Sequence, residues 1–155
     1  MSALLIEQLQ IAHSGVGALM RSVRSAYPDE ACGLLLGEHG GSSLERVVRV
    51  LCCDNHAADR RTGYVIAPLA YLDAERCADA AGLRVLGVWH SHPDGSALPS
   101  VRDRRDAWPG WWYLIAGWQP RNPPDLRLWR LPDCASSDTS QQINGFVAGS
   151  LVVTA

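Results

Sequence analysis

The chain alternates short apolar runs with stretches of helical periodicity, and glycine or proline marks most of the boundaries. Leu4 to Leu9 alternates as a short strand does. From Ile11 to Ala26, the residues Ile11, Gly15, Ala18, Leu19, Ser22 and Val23 recur on one helical face. Tyr27-Pro28-Asp29 ends that pattern, because proline disfavours helix in the residue before it. Ala31 to Gly37 is an unbroken apolar run closed by His39-Gly40-Gly41-Ser42, which predicts a buried strand paired as a hairpin with the β-rich Leu44 to Cys53. Asp54 to Gly63 is polar and loop-like, and Tyr64 to Ala67 is a short extended piece.

Pro68 opens a second helix, a favoured first position because its missing N–H is an orphan there anyway. Tyr71, Leu72, Glu75, Cys77, Ala78 and Ala81 carry the pattern to a terminator at Gly82. Leu83 to Trp89 is another buried strand, and a Pro- and Gly-containing loop leads to a short helix from Ser100 to Ala107. Strands follow at Trp111 to Gly117 and Leu126 to Leu131, on either side of the proline-rich turn Pro120 to Pro124. The polar stretch 132–144 reads as mobile, and Phe146 to Thr154 as a last strand. Strands interleaved with helices predict an α/β layered fold, a single domain over residues 1–155 without repeats or an internal linker.

Composition narrows the function classes. At 155 residues and 47% hydrophobic, the chain can bury one core. A formal net charge of −2 gives no global electrostatic reason to bind nucleic acid or an anionic membrane. No run reaches the ~20 apolar residues that span a bilayer, and no signal-peptide pattern opens the chain. Five cysteines, none in a C-x-x-C pair, read as small buried hydrophobes in a reducing cytoplasm, where we place the protein. All 14 basic residues are arginine, so the protein has no lysine to receive an isopeptide-linked modifier.

The candidate chemistry lies in His90-Ser91-His92-Pro93 and Ser100-Val101-Arg102-Asp103. Histidines at i and i+2 of a strand project to one face, so both imidazoles reach a single ion. Asp103 adds a hard oxygen ligand from the first turn of the next helix. Two histidines, a carboxylate and an open fourth position describe a catalytic zinc site, in contrast to a closed structural one. The ordinary readings of these residues stay open at this level. A lone H-x-H is usually incidental, Ser100 and Asp103 have the spacing of a capping box, and Glu30 in a Pro-Asp-Glu turn is by default a solvated charge.

Taken together, H-x-H, seven residues, Ser, two residues and Asp, with a glutamate ahead of an upstream apolar strand, resemble the JAMM (MPN-type) zinc metalloprotease signature. The segment Asp29-Glu30-Ala31-Cys32-Gly33-Leu34-Leu35-Leu36-Gly37 is similar to the start of the short bacterial members. Further similarity runs through Tyr64-Val65-Ile66-Ala67-Pro68, Gly87-Val88-Trp89-His90, Tyr113-Leu114-Ile115 and Leu128-Trp129-Arg130. The resemblance implies a three-layer α-β-α domain with a central mixed sheet, like that of cytidine deaminases. It implies one Zn2+ per chain on His90, His92 and Asp103, with a water completing the tetrahedron. It also implies Glu30 as general base and Ser100 as a hydroxyl donor to the oxyanion.

The implied substrate is a ubiquitin-like or sulfur-carrier protein with a C-terminal Gly-Gly, cut at an amide or isopeptide bond. The short chain favours the bacterial carriers over ubiquitin. A ubiquitin-type deconjugating isopeptidase and a non-enzymatic scaffold are the alternatives, though intact ligands speak against the scaffold. A base deaminase would need H-x-E followed by P-C-x-x-C, which this chain lacks. Trp89 should face away from both histidines and pack, Trp108, Trp111 and Trp112 read as core or edge aromatics, and Arg102, Arg104 and Arg105 as a solvated helix face.

Overall fold

The computed structural model describes residues 7–40, 44–132 and 142–155. Strand β1 (Gln8–Ala12) runs directly into helix α1 (His13–Ala26). The apolar run then forms β2 (Cys32–His39), paired antiparallel with β3 (Leu44–Cys53) as the expected hairpin. Helix α2 (Pro68–Ala80) starts on its proline and ends before Gly82, whose φ of 68° suits a residue without a Cβ. There follow β4 (Arg84–His92), α3 (Val101–Asp106), β5 (Trp112–Gly117), β6 (Asp125–Arg130), β7 (Gln142–Ile143) and β8 (Phe146–Thr154). The first-strand expectation falls partly on residues 4–6, and the mobile-segment expectation largely on 133–141, both outside the described residues.

The strands make one mixed sheet in the order β1-β3-β2-β4-β5-β6-β8-β7. Its edges meet. Strand β1 pairs parallel with β3 on one side and with β8 on the other, Gln8 opposite Ser150 through Ala12 opposite Thr154. The fold is therefore α/β as expected, but the flat central layer of a three-layer sandwich is replaced by a closed, barrel-like sheet. The physical reason lies at the two ends of the chain. Strand twist accumulates across a sheet, and pairing β8 with β1 satisfies edge N–H and C=O groups that an open sheet would leave exposed. Nothing in local periodicity encodes which edge finds which.

Each face of the sheet carries its own apolar cluster. One joins Leu19, Met20 and Val23 of α1 to Leu9, Leu35, Trp89, Leu114 and Leu128. The other joins Ala74 and Ala78 of α2 to Leu34, Val88, Ile115, Trp129 and Phe146. Trp89 lies on the α1 side, fully buried, as strand alternation requires of a neighbour to His90. Its indole crosses β2 above Gly33 and donates to the Leu51 carbonyl at 2.9 Å, and a Cβ at Gly33 would collide with that indole. The tryptophan expectation divides. Trp112 is in the core and Trp111 half-buried, while Trp108 is exposed, stacked parallel to Tyr71 and edge-on to Trp111. No helix among the described residues is long and apolar enough to cross a membrane.

Candidate metal centre

Strand β4 lies mid-sheet, between β2 and parallel β5, so its last residues emerge from a rigid platform. His90 and His92 share its α2-side face, and their Nε2 atoms stand 3.1 Å apart. Both meet Asp103 of α3. His90 Nε2 is 3.2 Å from Oδ1 and His92 Nε2 is 3.1 Å from Oδ2. Glu30 arrives from the turn between α1 and β2, and its carboxylate lies within 4.8 Å of the two imidazoles. All four residues are buried. The sequence-predicted residues thus come together, and Glu30, His90 and His92 form a set that could hold a metal ion.

Ser100 has the capping role left open above. It is the N-cap of α3, its Oγ accepting the Asp103 amide at 3.0 Å while the Ser100 amide donates to Asp103 Oδ2 at 2.8 Å. The capping box leaves the hydroxyl proton unspent and aims the Asp103 carboxylate back toward the histidines.

Tautomers follow from the neighbours. His92 Nδ1 is 2.9 Å from the Ser96 carbonyl, so Nδ1–H donates there and the Nε2 lone pair faces the cluster, as metal-binding histidines are usually arranged. That carbonyl reaches His92 because the 95–97 loop presses onto Gly117, where a Cβ would meet the backbone of Gly95, Ser96 and Ala97. His90 stacks on Tyr64, ring centroids 4.4 Å apart. His90 Nδ1 and Glu30 Oε1 are buried with no hydrogen-bond partner among the described residues.

The two carboxylates are pushed in opposite directions. Burial raises the Glu30 carboxyl to about 8, and the charge of Asp103 adds to the effect. Burial also acts on Asp103, but His90, hydrogen bonds from both imidazoles and the Ser100 amide outweigh it and keep Asp103 ionised, far below the usual carboxylate range. Desolvation lowers His90, whereas for His92 it is overcome by Asp103, which raises it. A cation-binding set needs imidazole lone pairs and a permanent anion; Asp103 supplies the anion, and the lowering of His90 favours its neutral ring.

Several supporting residues carry no signal in local sequence. Ser91, between the two histidines, accepts the Ala31 amide on its Oγ at 2.9 Å and donates its own amide to the Ala31 carbonyl at 3.0 Å, fixing the residue after Glu30. The Asn55 side chain donates to the carbonyls of Glu30 and Gly63 at 2.9 and 3.0 Å and accepts from the amides of Ala57 and Val65 at 2.9 and 3.1 Å. Arg102 is not simply solvated, since its Nη1 donates to the carbonyl and hydroxyl of Thr62, both at 3.1 Å. Asn55→Ala strips partners from four backbone groups at once. It should lose about 1–3 kcal/mol of stability, measured by denaturant unfolding, more than an exposed polar-to-Ala change elsewhere on the loop.

Comparison with known proteins places this chain among relatives. Residues 13–132, which include all five predicted site residues, match the family of prokaryotic homologs of the JAB domain. The chain is 36% identical over 102 residues to the desampylase of Haloferax volcanii, covering 65% of this chain and 67% of that one. It is 39% identical over 80 residues to a protein of Thermus thermophilus named as a probable TtuB-protein conjugate cleaving protease, covering 52% of this chain and half of that one. With the CysO-cysteine peptidase of Mycobacterium bovis it shares 28% over 124 residues, 79% of this chain and 82% of the relative. Among solved structures, a protein from Desulfitobacterium hafniense superposes with a TM-score of 0.78 at 25% identity, covering 94% and 92% of the two chains. A JAB1/MPN domain protein from Archaeoglobus fulgidus, 17% identical with 95% and 97% of the two chains covered, shares the fold at a TM-score of 0.53.

Proposed function

Because the chain belongs to the family of prokaryotic homologs of the JAB domain, we propose that it is a zinc-dependent hydrolase that cuts the amide or isopeptide bond after the C-terminal Gly-Gly of a ubiquitin-like, sulfur-carrier-type protein. The observation that carries this reading is the convergence of His90, His92 and Asp103, nitrogen to oxygen at 3.1–3.2 Å, with the buried Glu30 carboxyl beside both imidazoles and its Oε1 unpartnered. A metal ligand must stay ionised, which suits Asp103; a general base works best with a pKa near the working pH, which suits Glu30. His90, His92 and Asp103 would then hold the ion, and zinc when bound would supply Lewis acidity and make water more acidic.

The chain's own residues do the rest. Glu30 takes a proton from the attacking water and hands it to the leaving nitrogen, and its unpartnered Oε1 is free for both transfers. The Ser100 hydroxyl, already anchored as an acceptor, donates to the carbonyl oxygen as that atom gains charge. Ser91, Asn55 and the Arg60 carbonyl, which accepts the Glu30 amide, hold Glu30 in place so that little reorganisation accompanies the step.

The substrate class draws support from the relatives named for a TtuB conjugate and for CysO-cysteine. It draws physical support from the buried cluster, which a chain without Cβ atoms approaches most closely. Carriers bearing one extra residue after Gly-Gly should be trimmed back to the second glycine, as weighed by mass spectrometry. Replacing that glycine by valine should abolish the cut, since a branched side chain collides with the walls. Equal cleavage of the valine carrier, or of short unfolded peptides, would leave a less selective zinc peptidase in its place.

A further inference from the structure

Two clefts meet at the cluster, and they differ in which carboxyl they contain. One, of about 280 Å³, is lined by Tyr64, Ile66, Tyr71, Arg102 and Asp103 and lacks Glu30. The other, of about 410 Å³, is lined by Glu30, Arg61, Thr62, His92, Asp94 and Ser100. Hydrolysis breaks the amide C–N bond and forms a C–O bond from water, whose proton passes through Glu30 to the nitrogen. The leaving nitrogen must therefore lie within hydrogen-bond reach of Glu30, and its substituents fall in the cleft that Glu30 lines. A further cleft reaches Glu30 from the side of Asp29 and Arg60, but none of His90, His92, Asp103 or Ser100 lines it, so it does not face the reacting carbonyl.

The wall of the Glu30-lined cleft is a fixed turn. Asp59 accepts the Arg61 amide at 3.1 Å and the Thr62 hydroxyl at 3.0 Å, and Arg102 holds the Thr62 carbonyl from α3. Three arginines flank this turn, of which Arg61 alone lines the cleft; Arg60 is engaged with Asp29 at 3.5 Å and Arg102 with Thr62. Arg61 has no carboxylate partner among the described residues. Of the acids in the cleft, Glu30 is the proton carrier, and Asp94 accepts the Ser96 amide at 2.9 Å.

We propose that Arg61 binds the free α-carboxylate of a single leaving amino acid, so that the enzyme prefers carriers extended by one residue to carriers linked to a lysine side chain. The inference rests on the hydrolysis proposed above. An amino acid joined through its α-nitrogen carries a carboxylate two bonds from the scissile nitrogen, and a guanidinium pairs with it through two parallel hydrogen bonds. A lysine joined through Nζ brings four methylenes there, and within a protein its own carboxyl is tied up in a peptide bond.

The test uses one carrier in three forms, ending Gly-Gly-Ala with a free carboxylate, Gly-Gly-Ala with a C-terminal amide, and Gly-Gly joined to Nζ of a blocked lysine. The protein is expected to cut the free acid with a KM about tenfold below the other two. Arg61→Gln should raise the KM for the acid about tenfold to meet that for the amide, with a small change in kcat, and Arg61→Lys should recover part of the difference. If acid and amide give equal KM values, or if the preference survives in Arg61→Gln while the bond after Gly-Gly is still cut, Arg61 does not read a carboxylate. Failure to cut any of the three forms overturns the hydrolysis and this inference together.

Discussion

Glu30→Gln is expected to fold, to keep its metal and to lose at least about 100-fold in turnover, measured as kcat on a carrier cut after Gly-Gly. The amide has the shape of the carboxyl and can still occupy the Glu30 position beside Asn55 and Ser91, but it carries no proton between water and the leaving nitrogen. Loss of kcat without loss of metal separates a base from a ligand, because a Gln at a ligand position would release the ion as well. The pH dependence of stability supplies an independent check in metal-free protein. Burial raises Glu30 from 4.5 to about 8, so between those values the folded state binds more protons than the unfolded chain, and stability falls as pH rises. The Gln variant has no such group. Metal-free Glu30→Gln should therefore gain on metal-free wild type from about pH 5 to pH 8, with the gain levelling off above the folded value. Near-parent turnover in the variant would mean that the water is activated without Glu30.

The second large effect is on the metal itself. The purified chain should carry about one zinc, and the His90→Ala, His92→Ala double variant should carry none and show no turnover, by metal analysis and carrier cleavage. His90 is fully buried against Tyr64, so a folding control belongs with the result. His92→Gln, which keeps the side-chain volume, should also lose the ion, with its circular dichroism unchanged. Cys32, buried at the start of β2 with its thiol pushed up to about 12, is a poor thiolate donor, and Cys32→Ser should retain the metal. A full complement of zinc in the double variant would end the assignment of these ligands.

Local sequence determined a good deal of this. The apolar run at Ala31 to Gly37, the proline at the head of α2 and the last strand at Phe146 to Thr154 were legible because strand and helix periodicities, and the backbone limits of Pro and Gly, act over a few residues. The pairing of His90 with His92 was legible for the same reason, since alternation along a strand puts both on one face. Spacing also placed Ser100 and Asp103 correctly at the head of α3, where capping and an inward-facing carboxylate turn out to coexist.

Only the tertiary structure decided what lies between these pieces. Closure of the sheet through β1 and β8 joins segments at opposite ends of the chain, and no local pattern specifies that partnership. By its local position alone Glu30 reads as a solvated acid, and only the family resemblance marks it as a general base. It becomes a buried carboxyl with a raised pKa because Ser91, sixty positions from Ala31, and Asn55, twenty-five from Glu30, draw its turn into the cluster. Asp103 is sent the other way by imidazoles that reach it from β4. A pKa depends on desolvation and on charges a few ångströms away, both properties of the assembled interior, so the two acids part into one carboxyl held ionised and one with a raised pKa only after folding. Arg61 is the same lesson at the rim. In sequence it is one of fourteen arginines, and its place in the lining of the cleft that Glu30 also lines follows from the Asp59 turn and the Arg102 tether, which bring the loop and α3 together.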